Sequence, residues 1–192
     1  MLDQDNYLKQ LADHQALFSK LDQFSNEVHA LAQLCVESLH NGGKIIFLGN
    51  GGSAADSQHL AAEFVVRFRR ERQALPSIAL TTDTSILTAC ANDYSYDHVF
   101  ARQIEALCKD NDVVIGLSTS GQSPNVNMAI EAANRIGAAT VAFTGKDGGK
   151  IKDISKYAFI MPSNETARIQ EAHMFIGHWL CDAVDCAFAE GS

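Results

Sequence analysis

Residues 44–63, KIIFLGNGGSAADSQHLAAE, decide the fold expected of this 192-residue chain. The opening apolar run is typical of a buried parallel strand, and the glycines after it allow a tight turn close to a ligand. Ser53 is predicted to cap the next helix, with Asp56 three residues later completing a capping box. His59 and Glu63 then lie one turn apart on one helical face. The stretch therefore predicts an anionic small-molecule ligand beside a site of proton or metal chemistry.

The composition is that of a globular protein and excludes several classes of partner. A length of 192 residues favours one domain, and the net charge of −8 argues against binding to a nucleic-acid backbone. No apolar run reaches membrane-spanning length, and the acidic N-terminus does not resemble a signal peptide. The five cysteines form an odd set without a CxxC pair, which indicates free thiols in a reducing compartment. We therefore expect a cytoplasmic protein with no membrane and no nucleic acid as partner.

Short apolar runs alternate with helical patterns along the chain. Strands are predicted at residues 44–48, 78–80, 113–117, 139–144 and 157–161. Helical spacing covers the first forty residues, and a long helix is predicted from about residue 164 to 189. Such alternation indicates an α/β fold with a parallel sheet covered on both faces. In these sheets ligands bind at the carboxyl ends of the strands, where both glycine- and serine-rich loops of this chain begin.

The second of these loops, STSGQSP at residues 118–124, concentrates hydroxyl groups near a helix start. Pro124 suits the first position of the next helix, which makes Ser123 its N-cap. Four hydroxyls within six residues, together with a helix dipole, form an anion site that needs no lysine: Ser118, Thr119, Ser120 and Ser123. The alternative is ordinary loop composition. The loop lacks the P-loop ending, and residues 49–54 lack the third glycine of the dinucleotide fingerprint, so neither ATP nor NAD is expected.

Four motifs in this order resemble those of the phosphoheptose isomerases: NGGSAAD at 50–56, LSTSGQS at 117–123, TGKDGG at 144–149 and RIQEAH at 168–173. The resemblance covers essentially the whole chain and implies a sugar-isomerase (SIS) domain. It implies a three-layer α/β/α sandwich with a five-stranded parallel sheet in flavodoxin-like order and an N-terminal helical extension. It also implies one SIS domain over residues 1–192, with N-terminal helices at 1–42 and a sugar-phosphate-binding core at 43–192.

The resemblance also implies a zinc ion, one per subunit. Its ligands would be His59, Glu63, Gln170 and His178, all of which keep the family's residue types. The residues alone leave Glu171 open as an alternative, because it lies seven positions from His178 and so in better helical register. Only the resemblance selects Gln170.

The activity implied by the resemblance is conversion of D-sedoheptulose 7-phosphate to D-glycero-D-manno-heptose 7-phosphate through an enediol(ate). Glu63 and His178 would be the acid/base pair, with zinc as the electrophile. The four hydroxyls of the serine loop would hold the phosphate, and the remaining substrate contacts would come from Asn50, Gly51, Gly52, Ser53, Glu63, Asn92, Asp93 and Gln170. For Asn92 and Asp93 the alternative is a simple turn before Tyr94.

Two further features bear on the function. Ala167 stands where some relatives have an aspartate, so any proton transfer or ligand orientation by that aspartate must be replaced here. The string TARIQ also resembles a non-catalytic branch that binds the replication initiator DnaA and lacks the catalytic glutamate. Glu63 is present, which favours the enzyme. The resemblance implies a homotetramer with sites at subunit interfaces, acting first in ADP- or GDP-heptose synthesis for lipopolysaccharide or capsule.

Overall fold

Within residues 4–189, the part of the chain that the structure describes, a computed structural model shows five strands in one parallel sheet. The strands are β1 (Ile45–Gly49), β2 (Ser77–Ala79), β3 (Val113–Ser118), β4 (Ala139–Gly145) and β5 (Tyr157–Met161). Their order is β2-β1-β3-β4-β5, and every neighbouring pair runs parallel. This is the flavodoxin-like order expected above. The order reverses between β1 and β3, so the loops leaving these two strands frame the crevice where such sheets bind ligands.

Helices cover both faces of this sheet. They are α1 (Gln4–Phe18), α2 (Ser25–His40), α3 (Gly52–Val65), α4 (Thr84–Asp93), α5 (Ala101–Leu107), α6 (Pro124–Ile136), α7 (Ile151–Ile154) and α8 (Thr166–Phe188). A short 3₁₀ turn at Leu21–Phe24 interrupts the first forty residues, which were predicted as helix, and a second lies at Tyr96–His98 between α4 and α5. The short α7 was not predicted, because four residues are too few to show a helical period.

Side chains alternate across the sheet and build two separate cores. Ile45 and Phe47 of β1 face a core shared with α2, α3 and α8 and with the end of α1. Ile46 and Leu48 face the other core, which α4, α5, α6 and α7 complete. Because successive residues of a strand point to opposite faces, a continuous apolar run must be covered on both sides. The expected three-layer sandwich is therefore confirmed.

The N-terminal helices differ in how they pack. Leu31 and Cys35 of α2 are buried in the first core, whereas α1 contributes little beyond Leu17. Most of α1 is exposed, including the apolar side chains of Tyr7 and Leu8. The five cysteines, which all lie in the described part of the chain, are free thiols as expected. Across residues 4–189, none of the helices combines the length and apolar character that a membrane span requires.

A buried ion pair holds the amino ends of β1 and β3 together. Lys44 Nζ lies 2.6 Å from Asp112 Oδ2, and the Asp112 side chain is only 1% exposed. The same carboxylate accepts hydrogen bonds from the backbone amides of Lys44 and Lys109. This pair lies at the edge of the sheet opposite the glycine and serine loops.

His173 of α8 is fully buried beneath the sheet. Its Nε2 lies 3.1 Å from the Thr144 carbonyl, which can only accept, so the neutral ring carries its proton on Nε2. Its Nδ1 is buried and has no hydrogen-bond partner. Burial lowers the pKa of His173 to about 4, although the bond to Thr144 opposes this shift. We infer that His173 is a structural residue, held neutral at the carboxyl end of β4.

We predict that His173 destabilises the protein in acid. The unfolded state binds a proton below about pH 6.5 and the folded state only below about pH 4, so stability falls as pH drops between these values. At pH 4.5 the loss is about 2 to 3 kcal/mol relative to pH 7. Urea unfolding at both pH values should show a smaller acid loss in His173→Gln than in the wild type. Equal losses in the two proteins would contradict the assignment.

Candidate active site

The turn between β1 and α3 depends on Gly51. Its backbone has φ 56° and ψ −119°, a conformation that residues with a side chain avoid. The chain therefore enters the helix at Gly52, with Gly51 as the N-cap. The prediction that Ser53 caps this helix is wrong, and so is the capping box with Asp56. Ser53 lies inside the first turn, where it is buried and its carbonyl accepts a 2.7 Å hydrogen bond from Ser57 Oγ.

Asn50 joins the two loops at the switch point. Its side-chain amide exchanges two hydrogen bonds with Asn125 at the start of α6, of 2.9 and 2.8 Å. The Tyr96 hydroxyl donates a third bond, of 3.2 Å, to Asn50 Oδ1. Asn125 and Tyr96 are not predictable from the sequence, because partners 75 and 46 positions from Asn50 leave no local pattern. The consequence is a fixed orientation for Asn50 at the carboxyl end of β1.

The serine loop places two of its hydroxyls against each other. Ser118 Oγ, at the buried end of β3, lies 3.0 Å from Ser123 Oγ. Ser123 is the residue before α6 and Pro124 the first helical residue, as predicted, but no side-chain hydrogen bond caps the helix. Ser120 Oγ instead accepts a 3.2 Å hydrogen bond from the backbone amide of Gln122. Within residues 4–189 the Ser118 and Ser123 hydroxyls bond only to one another, so they can turn toward an anion at the amino end of α6.

Gly121 at the tip of this loop packs against the loop after β4. Its φ is +66°, and a side chain there would overlap the Gly148 carbonyl. Gly121 therefore allows the serine loop and the TGKDGG segment to lie in direct contact. Thr119 and Ser120 beside it remain partly exposed.

Three of the predicted metal ligands converge between α3 and α8. His59 Nε2 lies 2.9 Å from His178 Nε2 and 3.3 Å from Glu63 Oε1. The His59 side chain is 49% exposed and Glu63 only 22%, so the group opens to solvent on one side. Phe68 stacks on the His178 ring with centroids 5.4 Å apart. Burial and the neighbouring His59 lower the pKa of His178, while Glu63 opposes the shift.

This convergence requires α3 and α8 to approach closely. Leu60, next to His59, packs onto Gly177, next to His178. A Cβ atom on Gly177 would come within 2.6 Å of Leu60 Cδ2, so with a larger residue either the Leu60 side chain or the helices would have to shift. The signal available in the sequence was a glycine inside an otherwise helical apolar segment, which often has a packing reason.

Gln170 and Glu171 point to different places. The Gln170 amide lies against Gly52, where a side chain would collide with it. Glu171 Oε2 instead lies 2.8 Å from His14 Nδ1 on α1, and its other oxygen binds Arg168. Of the two, Gln170 therefore faces the glycine turn. No hydrogen bond among residues 4–189 joins Gln170 to His59, Glu63 or His178.

Asn92 and Asp93 lie on α4, not on α3 or α8. They form the last turn of α4 rather than a simple turn before Tyr94, and both are exposed. Their one side-chain hydrogen bond within the described chain joins them to each other, Asn92 Nδ2 to Asp93 Oδ1 at 2.8 Å. Ala167 lies exposed in the first turn of α8. Within residues 4–189, neither Asn92 nor Asp93 makes a side-chain hydrogen bond to the glycine turn or the serine loop.

The predicted ligands His59, Glu63, Gln170 and His178 carry groups that can bind zinc, but these groups are not arranged around an ion. Two imidazoles, a carboxylate and an amide oxygen are acceptable ligands, and tetrahedral zinc would hold two nitrogens about 3.3 Å apart. The two histidine nitrogens are closer than this because they hydrogen-bond to one another. Across residues 4–189, no three His, Cys, Asp or Glu side chains are already placed to hold a metal. A small rotation of His178 or His59 would be needed to admit an ion.

Comparisons with known proteins identify the family. Residues 7–145 match the family model for the SIS domain. The phosphoheptose isomerase of Paramagnetospirillum magneticum is 58% identical over 159 residues, 83% of each chain. The solved phosphoheptose isomerase of Neisseria gonorrhoeae has a TM-score of 0.89 at 41% identity, covering 95% of this chain and 98% of that chain. The solved phosphoheptose isomerase of Francisella tularensis has a TM-score of 0.93 at 32% identity, covering 97% of this chain and 100% of that chain. The chain therefore belongs to the SIS-domain phosphoheptose isomerases and is an isomerase.

Proposed function

We propose that this isomerase converts D-sedoheptulose 7-phosphate to D-glycero-D-manno-heptose 7-phosphate. The observation that carries the proposal is the convergence of His59, Glu63 and His178 between α8 and α3, the helix that starts at the glycine turn. Relatives named phosphoheptose isomerase, at 58% and 50% identity, support the substrate class. We further propose that the reaction is the first step of ADP- or GDP-heptose synthesis for lipopolysaccharide or capsule.

The serine loop would bind the phosphate. The hydroxyls of Ser118, Thr119, Ser120 and Ser123 supply neutral donors, and the amino end of the 13-residue α6 adds a positive dipole. Asn50, Gly51, Gly52 and Ser53 would face the sugar across the switch point. Asn92 and Asp93 would contact the substrate beside the glycine turn, since Tyr96, three residues after Asp93, bonds to Asn50 of that turn.

Glu63 and His178 would divide the proton transfers between them. Isomerisation moves one proton between adjacent carbons and another between their oxygens. Glu63 would carry the carbon-bound proton, and His178 would move protons at the oxygens. A carbon acid next to a carbonyl is too weak for an isolated carboxylate, so an electrophile must stabilise the developing charge. A zinc ion held by His59, Glu63, Gln170 and His178 would supply that stabilisation when bound.

Turnover of sedoheptulose 7-phosphate by the purified, zinc-loaded protein tests the proposal directly. We predict that Glu63→Gln lowers kcat by at least about 100-fold, since an amide cannot accept the carbon-bound proton. The melting temperature should stay close to that of the wild type, because the Glu63 side chain is partly exposed. Near-normal turnover by Glu63→Gln would remove it as the base, and an inactive wild type would overturn the proposed reaction.

We predict that His178→Ala loses both turnover and bound zinc, because the variant removes one imidazole ligand and the stacking partner of Phe68. Elemental analysis after dialysis gives the metal content. His29→Ala, which removes an exposed histidine from α2, is the matched control and should retain zinc and activity. Full zinc content in His178→Ala would exclude His178 as a ligand.

We also propose a homotetramer with sites at the subunit interfaces. Support comes from exposed apolar side chains on α1 and α8, namely Tyr7, Leu8, Leu11, Phe175 and Trp179. Light scattering should give four times the 20.8 kDa chain mass. Leu8→Glu with Leu11→Glu should shift the population to smaller species, whereas Lys9→Glu on the same helix should not. A wild-type monomer would contradict this assembly.

The alternative function, binding of the replication initiator DnaA without catalysis, has no specific support. Glu63 and His178 are retained and lie near one another, which a scaffold protein would not require. A pull-down with the initiator separates the two functions: capture by an inactive protein would favour the alternative.

A further inference from the structure

A buried ion pair ties the segment after α3 to α8. Arg72 Nε lies 2.6 Å from Asp185 Oδ1, and the two side chains are only 1% and 0% exposed. Charges removed so completely from water must have every polar atom satisfied to be tolerated. The partners of these two side chains therefore show what the pair holds in place.

Asp185 organises the turn that follows α3. Its Oδ2 accepts hydrogen bonds from three consecutive backbone amides, those of Phe68, Arg69 and Arg70, at 3.1, 2.7 and 3.0 Å. Burial alone would raise the pKa of Asp185, but the bonds from Arg69, Arg70 and Arg72 together lower it. The carboxylate is thus charged, and the backbone at residues 68–70 is fixed to α8.

Arg72 satisfies the carboxyl end of α3. Its Nη2 donates a 2.8 Å hydrogen bond to the carbonyl of Glu63, and its Nη1 donates a 2.9 Å bond to the carbonyl of Phe64. Nη1 also reaches the Gln73 carbonyl at 2.8 Å. The last carbonyls of a helix have no partner within the helix, so the guanidinium supplies one here. One of the two carbonyls belongs to the residue proposed as the base.

The same network reaches His178 by a second route. Asp185 lies seven residues after His178 on α8, which places both on one side of the helix two turns apart. The backbone amide of Phe68 donates a hydrogen bond to Asp185, and the Phe68 ring stacks on the His178 ring at an interplanar angle of 19°. The ion pair therefore touches the backbone of Glu63 at one end and the packing partner of His178 at the other.

We propose that Arg72 and Asp185 are positioning residues that fix the separation between Glu63 and His178. This inference rests on the proposed function and adds two residues that contact neither substrate nor metal. A buried ion pair contributes little net stability compared with apolar residues of the same volume. Its geometry, in contrast, is directional: the planar guanidinium can bond Asp185 and both helix-end carbonyls only in one arrangement.

The chain offers a matched control in the ion pair between Asp112 and Lys44. Asp112 is also a buried carboxylate that pairs with a cation, Lys44, and accepts two backbone amides. Asp112→Asn should therefore cost stability in the same way as Asp185→Asn, but Asp112 bonds to neither the end of α3 nor the Phe68 backbone. Arg72→Lys is the conservative variant, because it keeps the charge and loses the simultaneous bonds to Glu63 and Phe64.

The test compares kcat, KM, zinc affinity and melting temperature in these variants. In Asp185→Asn and Arg72→Lys, kcat should fall about 10- to 100-fold and zinc affinity, measured by chelator competition, about tenfold. KM for the sugar phosphate should change less than about threefold. The serine loop between β3 and α6, which would bind the phosphate equally in the ground state and the transition state, is unchanged in these variants. Asp112→Asn should show a similar loss of melting temperature with unchanged kcat and zinc affinity.

The outcomes separate the two proposals. A wild type without turnover overturns the proposed function, and the positioning role falls with it. An active wild type with equal kcat losses in Asp185→Asn and Asp112→Asn overturns only the positioning role, as does an unchanged kcat in Arg72→Lys. Should Asp185→Asn fail to fold, Arg72→Lys and Asp112→Asn give the same comparison.

Discussion

The contact between Leu60 and Gly177 is the constraint on which the site depends. It lets α3 and α8 approach closely enough for His59 and His178 to meet, although 119 positions separate them in the chain. Helices normally pack 8–10 Å apart, and a residue without a side chain at the crossing brings them to the short end of this range. The imidazoles and the Glu63 carboxylate then share one small, partly exposed space. The geometry of the candidate site is a consequence of helix packing.

The two halves of the site have different supports. The serine loop leaves the central strand β3 and is packed against the TGKDGG segment at Gly121, so its backbone is rigid. The glycine turn after β1 is tied to it through the paired amides of Asn50 and Asn125. A phosphate and the reacting carbons of one substrate would thus be held by neighbouring strands. Rigid support from adjacent parallel strands is what fixes such distances.

The two buried carboxylates, Asp112 and Asp185, act on different elements. Asp112 joins the amino ends of two strands, which are already paired, whereas Asp185 joins a turn and a helix that no ladder connects. Each carboxylate accepts backbone amides as well as a cation, which is how a buried charge is accommodated. The two ion pairs therefore differ in how freely the elements that they join could otherwise move. Strand ends in a ladder have little freedom, while the end of α3 depends on its anchor.

Local pattern was enough to predict the strands, the sheet class, the long last helix and the residues His59 and Glu63, because periodicity and a four-residue spacing are properties of the chain itself. It failed at Ser53, where the conformation open to Gly51 moved the helix start, and it left Gln170 and Glu171 undecided. Only the fold turned Glu171 toward His14 and Gln170 toward Gly52. Local pattern also could not predict the pairing of Arg72 with Asp185, which lie 113 positions apart. Contacts between distant segments depend on how helices pack, and no short-range rule encodes that.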